Sequence, residues 1–422
     1  MSTVVTDTLP FAETARTDVE AWLDEHWDPA ATLAEWWDRL ARSGYAAPTL
    51  PTDAWGKGWP RSLAAVVTEV MRERAVVGPP AGLGYLLAAP TVAAHGTDEQ
   101  KETLLLRILN GQDAWCQLFS EPGAGSDLAG LQCRAERDGD EWVITGQKVW
   151  TSTAQLCNLG MLIARTDPDL PKHKGITYFA FRMDQPGVET RPLREMTGRA
   201  MFNEVFIDGA RVHDRDIIGG RGNGWAVANT TLAAERAGLG SGGSGAAGNA
   251  FPGPLAGALD RPVGDFVGQV RTGGAGSAVG GDAAGAYIRL ATELGRAADP
   301  VVRQGLAQLY TLTRLGRWGA MRAKAGVGRT GGEGNIAKLM MSDILRLQRE
   351  VGNRIIGPDG MITGADTKSG GMVQELTLFS PGPSIYGGTD QIQKNILGER
   401  VLGLPKEPGP PKDTPFRELL KN

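Results

Sequence analysis

Two short stretches carry residue types and spacings that could do chemistry: Leu118-Phe119-Ser120-Glu121-Pro122-Gly123-Ala124-Gly125-Ser126-Asp127 and Gly146-Gln147-Lys148-Val149-Trp150-Thr151-Ser152. In the first, one proline and two glycines turn the chain sharply, and glycine can take a positive φ that brings bare backbone close to a ligand. Such a bend offers N–H groups and the hydroxyls of Ser120 and Ser126 to an electron-rich group. It lacks the strand-Gly-x-Gly-x-x-Gly-helix setting of a dinucleotide fold and the Gly-Lys-Ser/Thr ending of a phosphate loop. Read alone, the match is that of an ordinary surface turn; its neighbours in the chain change the reading.

The elements that must position these stretches follow from periodicity. Residues 1–112 read as helical by 3.6-residue apolar spacing, with Val19, Trp22, Leu23 and His26 on one face and Leu33, Trp36, Trp37, Leu40 and Ala41 on another. Every tryptophan here reads as packing. Thr97-Asp98-Glu99-Gln100 is a capping box, and Gly111 suits the stop of the helix it starts. From 113 to 228 the signal becomes strands: 142–144, 160–164, 176–181 and 203–207 are β-branched and aromatic runs, with turns expected at Asp138-Gly139-Asp140 and Asp208-Gly209. Strands at this spacing with no helices between them suggest a small antiparallel barrel or sandwich. From 229 to 422 the pattern is helical again, interrupted at about 238–285 by a Gly-rich insertion of coil-favouring composition, in which 259–267 could form a short ordered piece. The fold class expected is α+β and multidomain, with a helical domain over 1–112, a central β domain over 113–228 and a helical bundle over 229–422.

Composition removes several classes of function. The 422 residues can bury a large core, and a net charge of −4 from interspersed acids and bases leaves no basic face for nucleic acid. Cys116, Cys133 and Cys157 are an odd number without Cys-x-x-Cys spacing, which suits reduced thiols; four scattered histidines give a metal site little to work with. No metal is expected. With no signal-like N-terminus and no apolar run long enough to cross a bilayer, the expectation is a soluble, cytoplasmic protein.

Trp115-Cys116-Gln117 precedes the Ser-Glu-Pro-Gly loop, the run from Arg134 to Ile144 follows it, and Gly146-Gln147-Lys148-x-Trp150 completes it. This combined string closely resembles the middle domain of the acyl-CoA dehydrogenase family, and Gly96-Thr97-x-x-Gln100-Lys101 is similar to the family's helix leading into its barrel. The resemblance runs over most of the chain. It implies a central antiparallel β-barrel between two helical domains, and FAD as cofactor. The implied reaction is α,β-dehydrogenation of an acyl-CoA thioester to the trans-2-enoyl-CoA: a carboxylate takes the α-proton while the β-hydrogen leaves as hydride to flavin N5. Electron-transfer flavoprotein is the implied electron acceptor. By the same resemblance Gln117, Leu118, Phe119, Ser120, Gly125 and Ser126 lie along the flavin, with Ser126 also reaching the acyl-CoA. Trp150, Thr151 and Ser152 wall the isoalloxazine, and Gly388, Thr389 and Gln391 match the family's flavin-contacting Gly-Thr-x-Gln.

The position of the base departs from many members. Where they carry Tyr-Glu-Gly-Thr, this chain has Tyr386-Gly387-Gly388-Thr389, and Gly387 cannot abstract a proton, although its N–H can polarise a thioester carbonyl. The long-chain and isovaleryl members place the Glu on another helix, immediately before an Arg. Leu232-Ala233-Ala234-Glu235-Arg236 resembles that segment, which makes Glu235 the candidate base and puts Arg236 near the CoA path.

Two further motifs differ. The Arg-x-x-Phe-Gly that holds the FAD pyrophosphate across a subunit boundary is replaced near Arg296-Ala297-Ala298-Asp299-Pro300, and Gln-x-x-Gly-Gly appears as Arg354-Ile355-Ile356-Gly357-Pro358. Arg354 is either a bidentate phosphate partner or a surface charge. These changes suit a subunit that shares its site with a related chain, so homo- and hetero-oligomer both stand. Three alternatives stand beside the dehydrogenase: a non-catalytic structural subunit, a flavin oxygenase or nitroalkane-oxidase-like enzyme on the same scaffold, and an acyl-ACP substrate.

Overall fold

The computed structural model describes residues 9–240, 250–268, 282–326, 330–362, 364 and 366–420. The N-terminal domain is built from α1 (Leu9–His26), α2 (Leu33–Arg42), α3 (Arg61–Glu73) and α4 (Ala89–His95), then α5 (Asp98–Gln100), which continues through a π-helical turn into α6 (Leu106–Leu109). The apolar face expected on α2 is buried in full, and its two indoles donate to the carbonyls of Val77 (2.7 Å) and Gly78 (2.9 Å). The Thr97/Gln100 capping box forms in both directions, and the Gln100 amide also donates to the carbonyls of Arg215 and Ile217, fastening α5 to the end of the sheet. Gly111 stops the following helix at φ +71; a Cβ there would lie 2.2 Å from the Trp37 ring.

The central domain is one curled seven-stranded sheet: β1 (Trp115–Leu118), β2 (Arg134–Asp138), β3 (Glu141–Ser152), β4 (Leu159–Arg165), β5 (Ile176–Arg182), β6 (Val188–Leu193) and β7 (Phe202–His213), in the order β1-β4-β2-β3-β7-β6 with β5 on β4. Most pairings are antiparallel as expected, but β1 and β2 meet β4 in parallel, so the sheet is mixed. The Asp138-Gly139-Asp140 turn closes the β2–β3 hairpin. Asp208-Gly209 is not a turn between strands. Ile144 faces Ala210 and Thr145 faces Asp208, so Gly209, at φ +71, is the extra residue of a bulge inside β7. β4 is buried on both faces: Met161 and Ile163 join the N-terminal core, while Leu162 and Ala164 join the core inside the curl.

The C-terminal part comprises α7 (Gly224–Gly240), α8 (Ala283–Glu293), α9 (Pro300–Ala325), α10 (Glu333–Ile356), α11 (Met372–Phe379) and α12 (Asp390–Ile396). α10 is its centre, packing against α7, α8, α9, α11 and α12. Residues 241–249 and 269–281 of the Gly-rich 238–285 stretch lie outside the described residues. Its middle, 250–268, lies along the N-terminal helices: Val263 N–H donates to Ala31 O (2.8 Å), Leu33 N–H to Arg261 O (2.9 Å), and Val263 and Phe266 enter the core. Ala250 and Ala258 join them there, with Leu259 and Val267 packed alongside.

Candidate functional site

The Ser120 loop and the Trp150 segment are neighbours in space. Val149 N–H donates to Ser120 O (2.9 Å), and the Lys148 ammonium donates to Phe119 O (3.1 Å) and to the Glu121 carboxylate (2.8 Å). The bend does not use left-handed glycine as expected. Neither Gly123 nor Gly125 has positive φ; reciprocal bonds between the backbones of Glu121 and Ala124, both 3.0 Å, close it instead. Gly125 is exposed, and a Cβ there would meet nothing.

The unusual backbone belongs to the second motif. Between Lys148 and Thr151 the β3–β7 register slips, and Trp150 sits at φ +60 with its side chain 61% exposed. A bulge re-aims the side chain it carries, and left-handed geometry at a bulky residue costs about 1–2 kcal/mol. The indole meets the Phe202 ring edge-to-face at 5.9 Å and leaves its other surface open. Beside it Thr151 is fully buried with a hydroxyl that finds no partner, and the hydroxyls of Ser120, Ser126 and Ser152 hold no hydrogen bond among the described residues. An open aromatic plate, with the free hydroxyl of Ser152 two residues on and that of Ser120 across the Val149–Ser120 bond, fits a flat, hydrogen-bonding heteroaromatic ring such as the isoalloxazine.

Glu235 projects from α7 toward this motif: Gln117 Nε2 on β1 donates to its Oε2 at 3.5 Å, the outer limit of a hydrogen bond. Desolvation raises the Glu235 pKa above the ordinary carboxylate value, against the Gln117 bond and the Arg236 charge, both of which favour the anion. Arg236 is half-buried, and desolvation lowers its pKa.

The Tyr386-Gly387-Gly388-Thr389 loop reaches the same bundle from α12. Gly387 and Gly388 take φ +64 and +80; Gln393 Nε2 donates to both carbonyls (2.7 and 3.4 Å) and is itself held by Asn335 of α10. The Gly387 N–H donates to nothing among the described residues. Thr389 caps α12, accepting from Ile392 N–H and keeping its hydroxyl hydrogen free. The next residue, Asp390, is buried and accepts from Lys338 (3.0 Å), Ser342 (2.8 Å) and Arg346 (2.8 Å). Burial would raise its pKa, but these donors outweigh it and hold the carboxyl down at about 2.

Models of the acyl-CoA dehydrogenase N-terminal, middle and C-terminal domains match residues 10–112, 116–209 and 271–402. Acyl-CoA dehydrogenase IpdE1 of Mycobacterium tuberculosis is 35% identical over 376 residues, covering 88% of both chains. The chain belongs to the acyl-CoA dehydrogenase family. FadE34 of the same organism is 36% identical over 87% of this chain but only 46% of its own length. Among solved structures, a variant of the Tcur3481–Tcur3483 steroid ACAD is 25% identical at a TM-score of 0.67, covering 94% of this chain and 100% of that one. The ChsE4–ChsE5 complex from M. tuberculosis shares the fold, with a TM-score of 0.65, 22% identity and coverage of 96% and 100%.

Not every candidate of this acyl-CoA dehydrogenase converges on the cleft. Arg296 lies at the α8–α9 turn, where its guanidinium pairs with Asp299 (3.0 Å), the cap of α9. Arg354 is exposed in the last turn of α10, and Gln391 is exposed on α12. Sequence reasoning gave no role to Glu121, Lys148, Asn335, Lys338, Asp390 or Gln393. The signal for the α10 group was present: Asn335, Lys338, Ser342 and Arg346 recur at helical spacing as a polar stripe that runs into the buried apolar positions Leu345, Val351 and Ile355 of the same helix.

No helix among the described residues is long and apolar enough to cross a membrane, and no cluster of three or more metal-binding side chains occurs among them.

Proposed function

We propose that this acyl-CoA dehydrogenase binds FAD against Trp150 and the Ser120 loop, and that Glu235 is the base that takes the α-proton of the acyl-CoA. The observation that carries the reading is the approach of the Glu235 carboxylate to Gln117, within the strand that leads into the flavin-facing loop. When bound, FAD supplies the hydride acceptor that no side chain provides.

The chain's own residues supply the rest. Glu235 is desolvated, which makes its carboxylate a stronger base, and Gln117 holds it in place. Gly387 contributes its unengaged N–H to the thioester carbonyl, where charge develops as the α-proton leaves; Gln393, held by Asn335, anchors the two peptide planes that follow it. Arg236 contributes positive charge along the CoA path. Ser126 reaches the acyl-CoA side, while Gly125, Ser152, Gly388 and Thr389 face the cofactor. Electron-transfer flavoprotein is the expected acceptor of the electrons.

We further infer assembly with a second, related chain. Arg296 already serves Asp299, and Arg354 stands alone where the family has Gln-x-x-Gly-Gly, so part of the pyrophosphate grip has to come from elsewhere. The two-chain ChsE4–ChsE5 relative and the longer FadE34 support this.

The test is anaerobic bleaching of the bound flavin by a panel of acyl-CoAs that includes a steroid-derived one. Glu235→Gln should retain flavin and bleach about 10²–10⁴-fold more slowly. In the wild type the rate should rise with pH through a limb above the ordinary carboxylate range, because the raised pKa keeps Glu235 protonated, and unable to accept a proton, until the pH passes it. Unchanged bleaching by the variant would remove Glu235 from the mechanism.

A further inference from the structure

Beneath the flavin-facing surface lies an ion pair that the proposed reaction does not use. Lys148 is fully buried and Glu121 nearly so, 2.8 Å apart. A buried ion pair is a poor stability device, since well-packed apolar side chains of similar volume often do as well or better. Its hydrogen bonds show what it does instead. The Glu121 carboxylate accepts from Gln132 N–H (2.6 Å) and Cys133 N–H (2.9 Å), and Lys148 donates to Phe119 O (3.1 Å). Gly146 allows β3 to come this close, because a Cβ there would lie 2.7 Å from Cys133 Cα.

Ser120 is therefore gripped on both sides, with Phe119 O and the Glu121 carboxylate on Lys148 and its own carbonyl on Val149 N–H. The next residue is Trp150, in a conformation that persists only where its surroundings over-determine it. We propose that Glu121 and Lys148 are positioning residues that lock the Ser120 loop and the Trp150 bulge into one rigid unit, so that the flavin meets a preformed plate and rim. This rests on the assignment of that surface to FAD. The pair touches neither cofactor nor substrate; it acts through the residues on either side of it.

The double variant Glu121→Gln/Lys148→Met removes both charges while keeping length and approximate shape; the Gln oxygen still accepts from Cys133 N–H, and the variant should fold with the loss of the one hydrogen bond that its NH2 cannot accept from Gln132 N–H. Two readouts should move. The FAD dissociation constant should rise at least tenfold with an altered visible circular dichroism of the bound flavin, and hydrogen exchange at Val149 N–H should quicken at least tenfold while the β4–β5 amides stay protected. If the double variant does not fold, Glu121→Asp, which keeps a carboxylate opposite Lys148 but withdraws it by one methylene, carries the same measurements, with changes expected in the same direction. Wild-type flavin affinity, dichroism and Val149 protection in the folded variant would overturn the proposal. A wild-type chain that takes up no FAD, alone or with a second chain, would instead sink the flavin assignment, and the exchange at Val149 would still decide whether the pair locks the two segments.

Discussion

The sheet and helical segments that carry the candidate site residues are built on different principles. On the sheet side, Ser120 and Trp150 are fixed by an ion pair, a bulge and backbone bonds that share partners within a few residues. On the helical side, Glu235 reaches across to Gln117 of β1 at 3.5 Å, and the Gly387-Gly388 loop is held by Gln393 of α12, itself held by Asn335 of α10, beside Asp390, which accepts from Lys338 of α10. A flat cofactor needs a wall that does not move, because binding energy is lost to any reordering of the surface. A base needs only to arrive within reach of a proton from some element bordering the same space.

The largest effect that separates the two walls is on folding. Lys148→Met alone leaves the Glu121 carboxylate buried with only two backbone donors, and breaking a buried pair costs about 3–5 kcal/mol. Urea unfolding should show that loss, and restoring neutrality with Glu121→Gln should return most of it. A single variant as stable as wild type would mean that the sheet wall is not held by this pair.

Next in size is the helical wall. Asp390, ordinarily near 3.8, is held at about 2, so its ionised form is favoured in the folded state. The stability this gives is present above the unfolded pKa and lost as pH falls through the folded one. Asp390→Asn should cost about 2 kcal/mol at pH 7, with the gap to wild type closing between about pH 4 and pH 2. A gap independent of pH would place the effect in packing and not in the carboxylate. The variant should also release the Gly387-Gly388 loop, slowing turnover more than it weakens flavin binding.

How much of this was legible in the sequence follows the same division. Periodicity found α2, α9, α10 and the start of α12 at Thr389, because each has a wide apolar stripe or a capping side chain. It did not single out β1, a short strand whose partner β4 is distant in the chain, or β2 and β6, which are mostly exposed and carry no apolar run. The Ser-Glu-Pro-Gly and Gly-Gln-Lys-x-Trp strings marked the sheet wall, yet the strain was assigned to Gly123 and Gly125 when the structure carries it at Trp150; residue type favours glycine at positive φ, and only the slipped register overrides that. The charges of Glu121 and Lys148 stood in the two strings, but nothing local says that two residues 27 apart will meet inside the protein.

The smallest effect tests the strain itself. At φ +60 any Cβ crowds the backbone, so Trp150→Ala keeps the conformational cost while losing the contact with Phe202, whereas Trp150→Gly loses the same contact and relieves the cost. Glycine is also the more flexible in the unfolded chain, which offsets the gain by about 0.5–1 kcal/mol, against about 1–2 kcal/mol of relief. The glycine variant should therefore be the more stable of the two by up to about 1 kcal/mol, the reverse of the order at a normal strand position, while both lose flavin affinity together. An alanine variant more stable than the glycine one would show that Trp150 is not held left-handed in the folded protein, and the sheet wall would lose the feature that turns its indole outward.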